Sequence, residues 1–202
     1  ATVGIHPHEA DSHAHVDTAR LVAAAQAHPK VVGIGETGLD YHYDRSDRDR
    51  QRRSFRAHID AARETGLPLV VHTRNAEEDT AAILAEEMQR GSFPLVIHCF
   101  TSSQWLADAC LELGAFISLS GIVTFRNAAD LREVARRLPA ERLLVETDAP
   151  FLAPVPVRGR TAEPAFVAHT ARFVAGLRGM DFDDFAALTS ANARRLFRRV
   201  AG

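Results

Sequence analysis

Four side chains in this 202-residue chain are of the types that hold metal ions and activate water. They are Glu36, His72, His98 and Asp148, and each follows a short apolar run. Val31-Val32-Gly33-Ile34-Gly35 precedes Glu36, Pro68-Leu69-Val70-Val71 precedes His72, Pro94-Leu95-Val96-Ile97 precedes His98, and Leu143-Leu144-Val145 leads into Glu146-Thr147-Asp148. A lone buried carboxylate is costly, so each acid needs a cation, a metal or an open cleft. A single strand histidine is usually a hydrogen-bonded core residue, and a single Asp after a strand is usually a helix cap. Four such residues, each closing an apolar strand, are hard to explain one at a time and read together as a site. Two neutral imidazoles and two carboxylates suit divalent zinc, manganese or magnesium. With Glu36 shared between two ions, the site would polarise a scissile phosphoryl or carbonyl oxygen and ionise a bound water near neutral pH. Asp148 would then orient or deprotonate that water.

Further residues gather around this set. His6 follows the short strand Thr2-Val3-Gly4-Ile5 and is a candidate for a supporting or substrate contact on that position alone. His13 and His15 form a His-x-His pair, but their polar flanks read as a solvated loop. Arg74, Arg158 and Arg160 are candidates for phosphate contacts, because guanidinium suits bidentate binding of phosphate oxygens. The arginines at 48, 50, 52, 53 and 56 alternate with Asp47 and Asp49 and read as a solvated helix face rather than a phosphate patch.

The elements that must position these residues are strands alternating with helices. Helices are expected over 19–27, 46–65, 76–89, 104–113, 128–138 and 164–177, with a final pair near 183–188 and 191–200. Alternation of this kind means βα units on a parallel sheet. A nucleotide-binding open sheet would want a glycine-rich turn opening a helix. Here Gly33-Ile34-Gly35 lies within its strand, and polar residues sit at successive C-terminal strand ends, as in a barrel active site. The fold expected is therefore α/β, a TIM-barrel-like parallel βα repeat in one domain. The Pro-rich loop over 153–160 is a candidate lid or substrate loop. Formal charge is −2, so no global basic field points to nucleic acid and any such contact is local. Neither a membrane span nor a signal peptide is visible, and the two cysteines, Cys99 and Cys110, read as reduced thiols of a cytoplasmic protein.

The chain resembles the TatD-type metal-dependent deoxyribonucleases. The matching pieces are Gly4-Ile5-His6-Pro7-His8, the run from Gly33 to Tyr41, Val71-His72-Thr73-Arg74, His98-Cys99-Phe100-Thr101-Ser102, the run from Ser120 to Phe125, the run from Glu146 to Pro154, and Asn192-Ala193-Arg194-Arg195-Leu196-Phe197. The resemblance implies Glu36 bridging two metals, His72 and His98 on one, and Asp148 on the other. It also implies hydrolysis of DNA phosphodiester bonds, often from the 3′ end. Members of that family begin with an Asp-x-His-x-His strand and a second βα unit, so about six of eight strands are expected here. Asp11-Ser12-His13-Ala14-His15 imitates the lost motif but falls after Gly4-Ile5-His6-Pro7-His8, and no ligand role is carried over to it. Two alternatives stand beside DNA hydrolysis: a metal-dependent hydrolase of esters, amides or lactones, and an impaired fragment that binds at most one metal.

Overall fold

A computed structural model describes residues 1–200 of the chain. Six parallel strands lie side by side in chain order: β1 (Thr2–Val3), β2 (Gly33–Asp40), β3 (Leu69–Arg74), β4 (Leu95–Ile97), β5 (Phe116–Leu119) and β6 (Leu143–Val145). The helices between them are α1 (Thr18–Gln26), α2 (Arg48–Thr65), α3 (Glu77–Arg90), α4 (Gln104–Glu112) and α5 (Ala129–Arg137), and α6 (Val167–Leu177) and α7 (Phe182–Leu196) follow β6. Every strand pair is parallel, which is the βα repeat of a TIM-barrel-like fold. The row runs from β1 to β6, and among the described residues these two ends do not pair with each other.

Local chemistry sets the helix limits. Asp17, Asp47, Ser103 and Asp181 each accept a backbone N–H at a helix start, and Gly66 takes the left-handed conformation that stops α2. Phe55, Ile59 and Ala62 form the buried stripe of α2. The strands are covered on both faces. Leu69, Val71, Leu95, Ile97, Ile117 and Leu143 pack into the main core with the outer helices, whereas Val70, Val96, Phe116 and Leu144 join a smaller cluster with Leu196 of α7.

Three expectations need correction. Glu36 and His72 do not end their strands: β2 runs four residues further to Asp40, and β3 two further to Arg74. The β2–β3 register shifts between Ile34 and Thr37, so Glu36 sits at an irregularity within the ladder. Gly35 and Gly38 allow the close approach. Both have positive φ, and a Cβ on Gly38 would fall 2.0 Å from the His72 carbonyl oxygen. The final pair of helices is one continuous helix, α7. No glycine or proline interrupts 188–191, and the Asn192 side-chain amide ties α7 to the carbonyls of Ala140 and Leu143.

Candidate metal centre

The irregularity within β2, the C-terminal half of β3 and the residue after β4 bring Glu36, His72 and His98 together. The Nδ1 of His72 and the Nε2 of His98 each lie 3.0 Å from the same oxygen, Oε1 of Glu36. Nε2 of His6 is 3.5 Å from it, and the ligating atoms of His6, Glu36 and His72 all fall within 4.8 Å of one another. His6 caps the turn Pro7–Glu9, and the backbone N–H of His8 donates to its Nδ1. That bond leaves the proton of a neutral ring on Nε2, so His6 faces Glu36 as a donor rather than as a lone pair for an ion. Asp148 makes no hydrogen bond to the cluster, but its charge is felt by it. Burial, and then the neighbouring Glu146 and Glu36 carboxylates, push its carboxyl above the ordinary range, partly offset by His98 and His72.

Two acids that the sequence reading passed over stand behind the histidines. Nδ1 of His98 lies 2.8 Å from Oε1 of Glu146, which also accepts the N–H of Cys99, and the Ser118 hydroxyl donates to Oε2. Nε2 of His72 lies 3.0 Å from Oδ2 of Asp40, and Nε2 of His8 lies 2.9 Å from the same oxygen. Burial opposes ionisation of Asp40, but the N–H of Tyr43 and the rings of His8 and His72 outweigh it and hold the carboxyl below its usual range. Glu36 behaves likewise: burial raises its pKa, and hydrogen bonds from His6, His72 and His98 pull it far down. His98, held between Glu146 and Glu36, is raised despite burial. The spacing could have flagged one of them: residues four apart on a strand share a face, as Glu36 and Asp40 do in pattern, whereas Glu146 lies just past the end of β6.

These donors fit a divalent cation. An ionised Glu146 only accepts, so a neutral His98 puts its proton on Nδ1 and turns its Nε2 lone pair toward Glu36. With the ring neutral, this leaves two acceptors facing each other, an arrangement that a bound cation would satisfy. Imidazole nitrogen and carboxylate oxygen are donors of the kind zinc and manganese take.

The other sequence candidates are placed around this cluster. Arg74 lies over the Tyr43 ring, 4.9 Å from its centroid, and Arg45 lies 5.4 Å from it. Tyr43 in turn packs edge-on against His8, at 5.4 Å. Arg158 lies over Phe125 and Arg160 over Phe166, and neither makes a hydrogen bond or ion pair with the cluster. On α2, Arg48, Arg50, Arg52 and Arg56 each pair with a carboxylate, which agrees with a solvated, ion-paired face. His13 and His15 are exposed loop residues stacked on each other. Both cysteines are free, and among the described residues no helix is long and apolar enough to cross a membrane.

Comparison with known proteins shows the family of the chain. A family model described as TatD related DNase matches residues 1–198. The chain is 47% identical over 194 residues to an uncharacterised metal-dependent hydrolase, YcfH, of Escherichia coli K12, covering 96% of this chain and 72% of that protein. It is 40% identical to a protein of Erwinia tasmaniensis named 3′-5′ ssDNA/RNA exonuclease TatD, covering 98% of this chain and 77% of that one. The crystal structure of YJJV, a TatD homologue from E. coli K12, superposes with a TM-score of 0.88 at 30% identity, covering 98% of this chain and 76% of that one.

Proposed function

Since the chain belongs to the TatD related DNase family of metal-dependent hydrolases, we propose that its reaction is hydrolysis of DNA phosphodiester bonds, removing nucleotides from the 3′ end of single strands. The observation that carries this reading is the loop after β2. Tyr43 packs on His8 beside the metal cluster and carries two guanidiniums, Arg45 and Arg74, neither of which has a carboxylate partner among the described residues. Unpaired arginine next to a hydrolytic centre suits a substrate with a phosphate at the scissile bond and further phosphates along the strand. The name of the Erwinia relative points the same way.

Glu36, His72 and His98, with Asp148 beside them, would hold divalent ions, which when bound supply polarisation of a phosphoryl oxygen and a water that ionises near neutral pH. The chain's own residues do the rest. Arg74 and Arg45 hold phosphate oxygens. The Nε2–H of His6 donates toward the same place. Asp148 accepts the proton of the attacking water. Arg158 and Arg160 are proposed to meet the strand further out, on the loop over 153–160.

The test is digestion of a 5′-labelled single-stranded oligonucleotide with added Mg²⁺ or Mn²⁺, beside a panel of ester, amide and lactone substrates. Products shortened from the 3′ end, abolished in Glu36→Ala, support the proposal. An intact oligonucleotide with turnover of an ester or lactone overturns it in favour of that substrate class. Elemental analysis of the loaded chain adds a second measure: about two ions per chain suit the two-metal arrangement, and none or one suits an impaired site.

A further inference from the structure

Asp40 is the least solvent-exposed acid near the cluster, and nothing in the reaction as described uses it. Its side chain is 0% exposed, against 33% for Glu36. An isolated ionised carboxylate in such a place is strongly disfavoured. Here both oxygens are fully engaged. Oδ1 accepts the backbone N–H groups of His42 and Tyr43, at 3.1 and 2.8 Å. Oδ2 faces Nε2 of His72 at 3.0 Å and Nε2 of His8 at 2.9 Å. The main chain is fixed as well, since the Asp40 N–H donates to Oε1 of Gln51, itself fully buried.

The consequence lies in the His72 ring. A carboxylate saturated in this way can only accept, so a neutral His72 must carry its proton on Nε2 and leave Nδ1 bare. Nδ1 is the atom 3.0 Å from Glu36. We propose that Asp40 is the positioning residue of this centre: it sets the His72 tautomer so that Nδ1 is the metal-binding atom, with His8 as the second donor that keeps the carboxylate in place. The same carboxylate holds the N–H of Tyr43. One buried acid therefore fixes a metal donor and the loop that carries Tyr43 and Arg45 in a single arrangement. His98 is backed from its Nδ1 side by Glu146 and so binds through the opposite nitrogen. The two histidines reach the same Glu36 oxygen through different ring atoms because their backing acids stand on different sides.

This inference rests on the metal reading given under the proposed function but not on the choice of substrate. The decisive variant is Asp40→Asn, which keeps the shape and still accepts the two backbone N–H groups through its oxygen. Its amide donates to Nε2 of His72, which moves the ring proton to Nδ1 and covers the lone pair. Two readouts other than activity are needed: the ring ¹⁵N shifts of His72 in the metal-free chain at alkaline pH, and Zn²⁺ affinity by competition with a fluorescent chelator. The parent is expected to show a protonated Nε2 and a bare Nδ1. Asp40→Asn is expected to show the reverse and to bind Zn²⁺ about 10–100-fold more weakly, the usual cost of losing a partner behind a metal ligand, while melting cooperatively. A parent His72 protonated on Nδ1 overturns the proposal without reference to any variant, including one that fails to fold. So does a folded Asp40→Asn that binds Zn²⁺ within twofold of the parent. A parent that shows the expected tautomer but binds no Zn²⁺ overturns the metal half of the proposal together with the metal reading, and leaves the hydrogen-bond assignment standing.

Discussion

His58 makes the acid sensitivity of this fold calculable. It lies in α2, 1% exposed, and its two ring nitrogens have opposite roles. Nε2 accepts the backbone N–H of Ile5 at 2.8 Å, and Nδ1 donates to the Ser54 carbonyl at 2.7 Å. The first bond requires a neutral ring, and it ties the segment after β1 to α2. Protonation would put a charge in an apolar place and turn the Nε2 acceptor into a donor facing an N–H. Burial accordingly pushes the pKa down from 6.5 to about 4, partly offset by the Ser54 bond. The folded chain thus binds this proton less readily than the unfolded chain. The stabilisation is complete above the unfolded pKa and is lost as pH falls toward the folded one. With these two values, the loss is about 2 kcal/mol at pH 5 and about 3 kcal/mol at pH 4. The control is His58→Gln, whose amide oxygen can accept from Ile5 and whose NH₂ can donate to Ser54 without titrating. Urea unfolding of both chains between pH 7.5 and pH 5 should show the parent losing about 2 kcal/mol more than the variant. Equal losses would refute the argument, because every other titrating group is common to the two chains.

Other expectations follow from the same structure. Glu87 has a fully buried side chain and pairs with Arg56, Arg63 and Arg90. Glu87→Ala should lower the urea-unfolding free energy by about 2–3 kcal/mol, below the full cost of breaking a buried pair because the arginines keep some solvent. Arg90→Ala, with its side chain 59% exposed, should cost less than about 1 kcal/mol in the same assay. Mn²⁺ or Zn²⁺ at a hundred times its dissociation constant should stabilise the parent by about 3 kcal/mol, read as a rise in melting temperature, and Glu36→Gln should lose most of that rise. Burial pushes the Cys110 thiol up to about 12, and burial with the Glu146 charge raises Cys99 further above its usual value. Both should react with a thiol reagent at pH 8 far more slowly than in urea-unfolded chain, and a fast phase in the native chain would contradict this.

The sequence carried the alternation of strands and helices plainly, because apolar runs, aspartate caps and terminal glycines all agreed. It hid where two strands end. Past Glu36 the residues Thr37-Gly38-Leu39-Asp40 alternate small and polar with one leucine, which resembles a loop. In the structure Thr37, Gly38 and Leu39 are buried and paired with β3. The continuity of α7 was hidden for a related reason. Thr189 and Ser190 have weak helix propensity, and the bonds that secure the helix run to Ala140 and Leu143, some fifty residues away. The gathering of Glu36, His72 and His98 was legible from their positions after apolar runs. His8 and Glu146 were not, and Asp40 showed only in its spacing from Glu36, because a backing residue is not marked by its type.

That omission has a physical root. A metal donor is recognisable by type, since few side chains bind ions. A residue that aims the donor is recognisable only by what it touches. Asp40 is an ordinary aspartate until the β2 bulge and the glycines at 35 and 38 bring β2 against β3 and set its carboxylate beside the His72 ring. Its burial is offset only by four donors drawn from β1's following turn, β3 and the loop after β2. Remove any of those elements and the carboxylate becomes a liability rather than an anchor. The backing acid therefore depends on the fold more strictly than the metal donors do. Tolerance to substitution should follow the same order, with partly buried Glu36 replaceable at the cost of chemistry alone and enclosed Asp40 at the cost of the geometry around it.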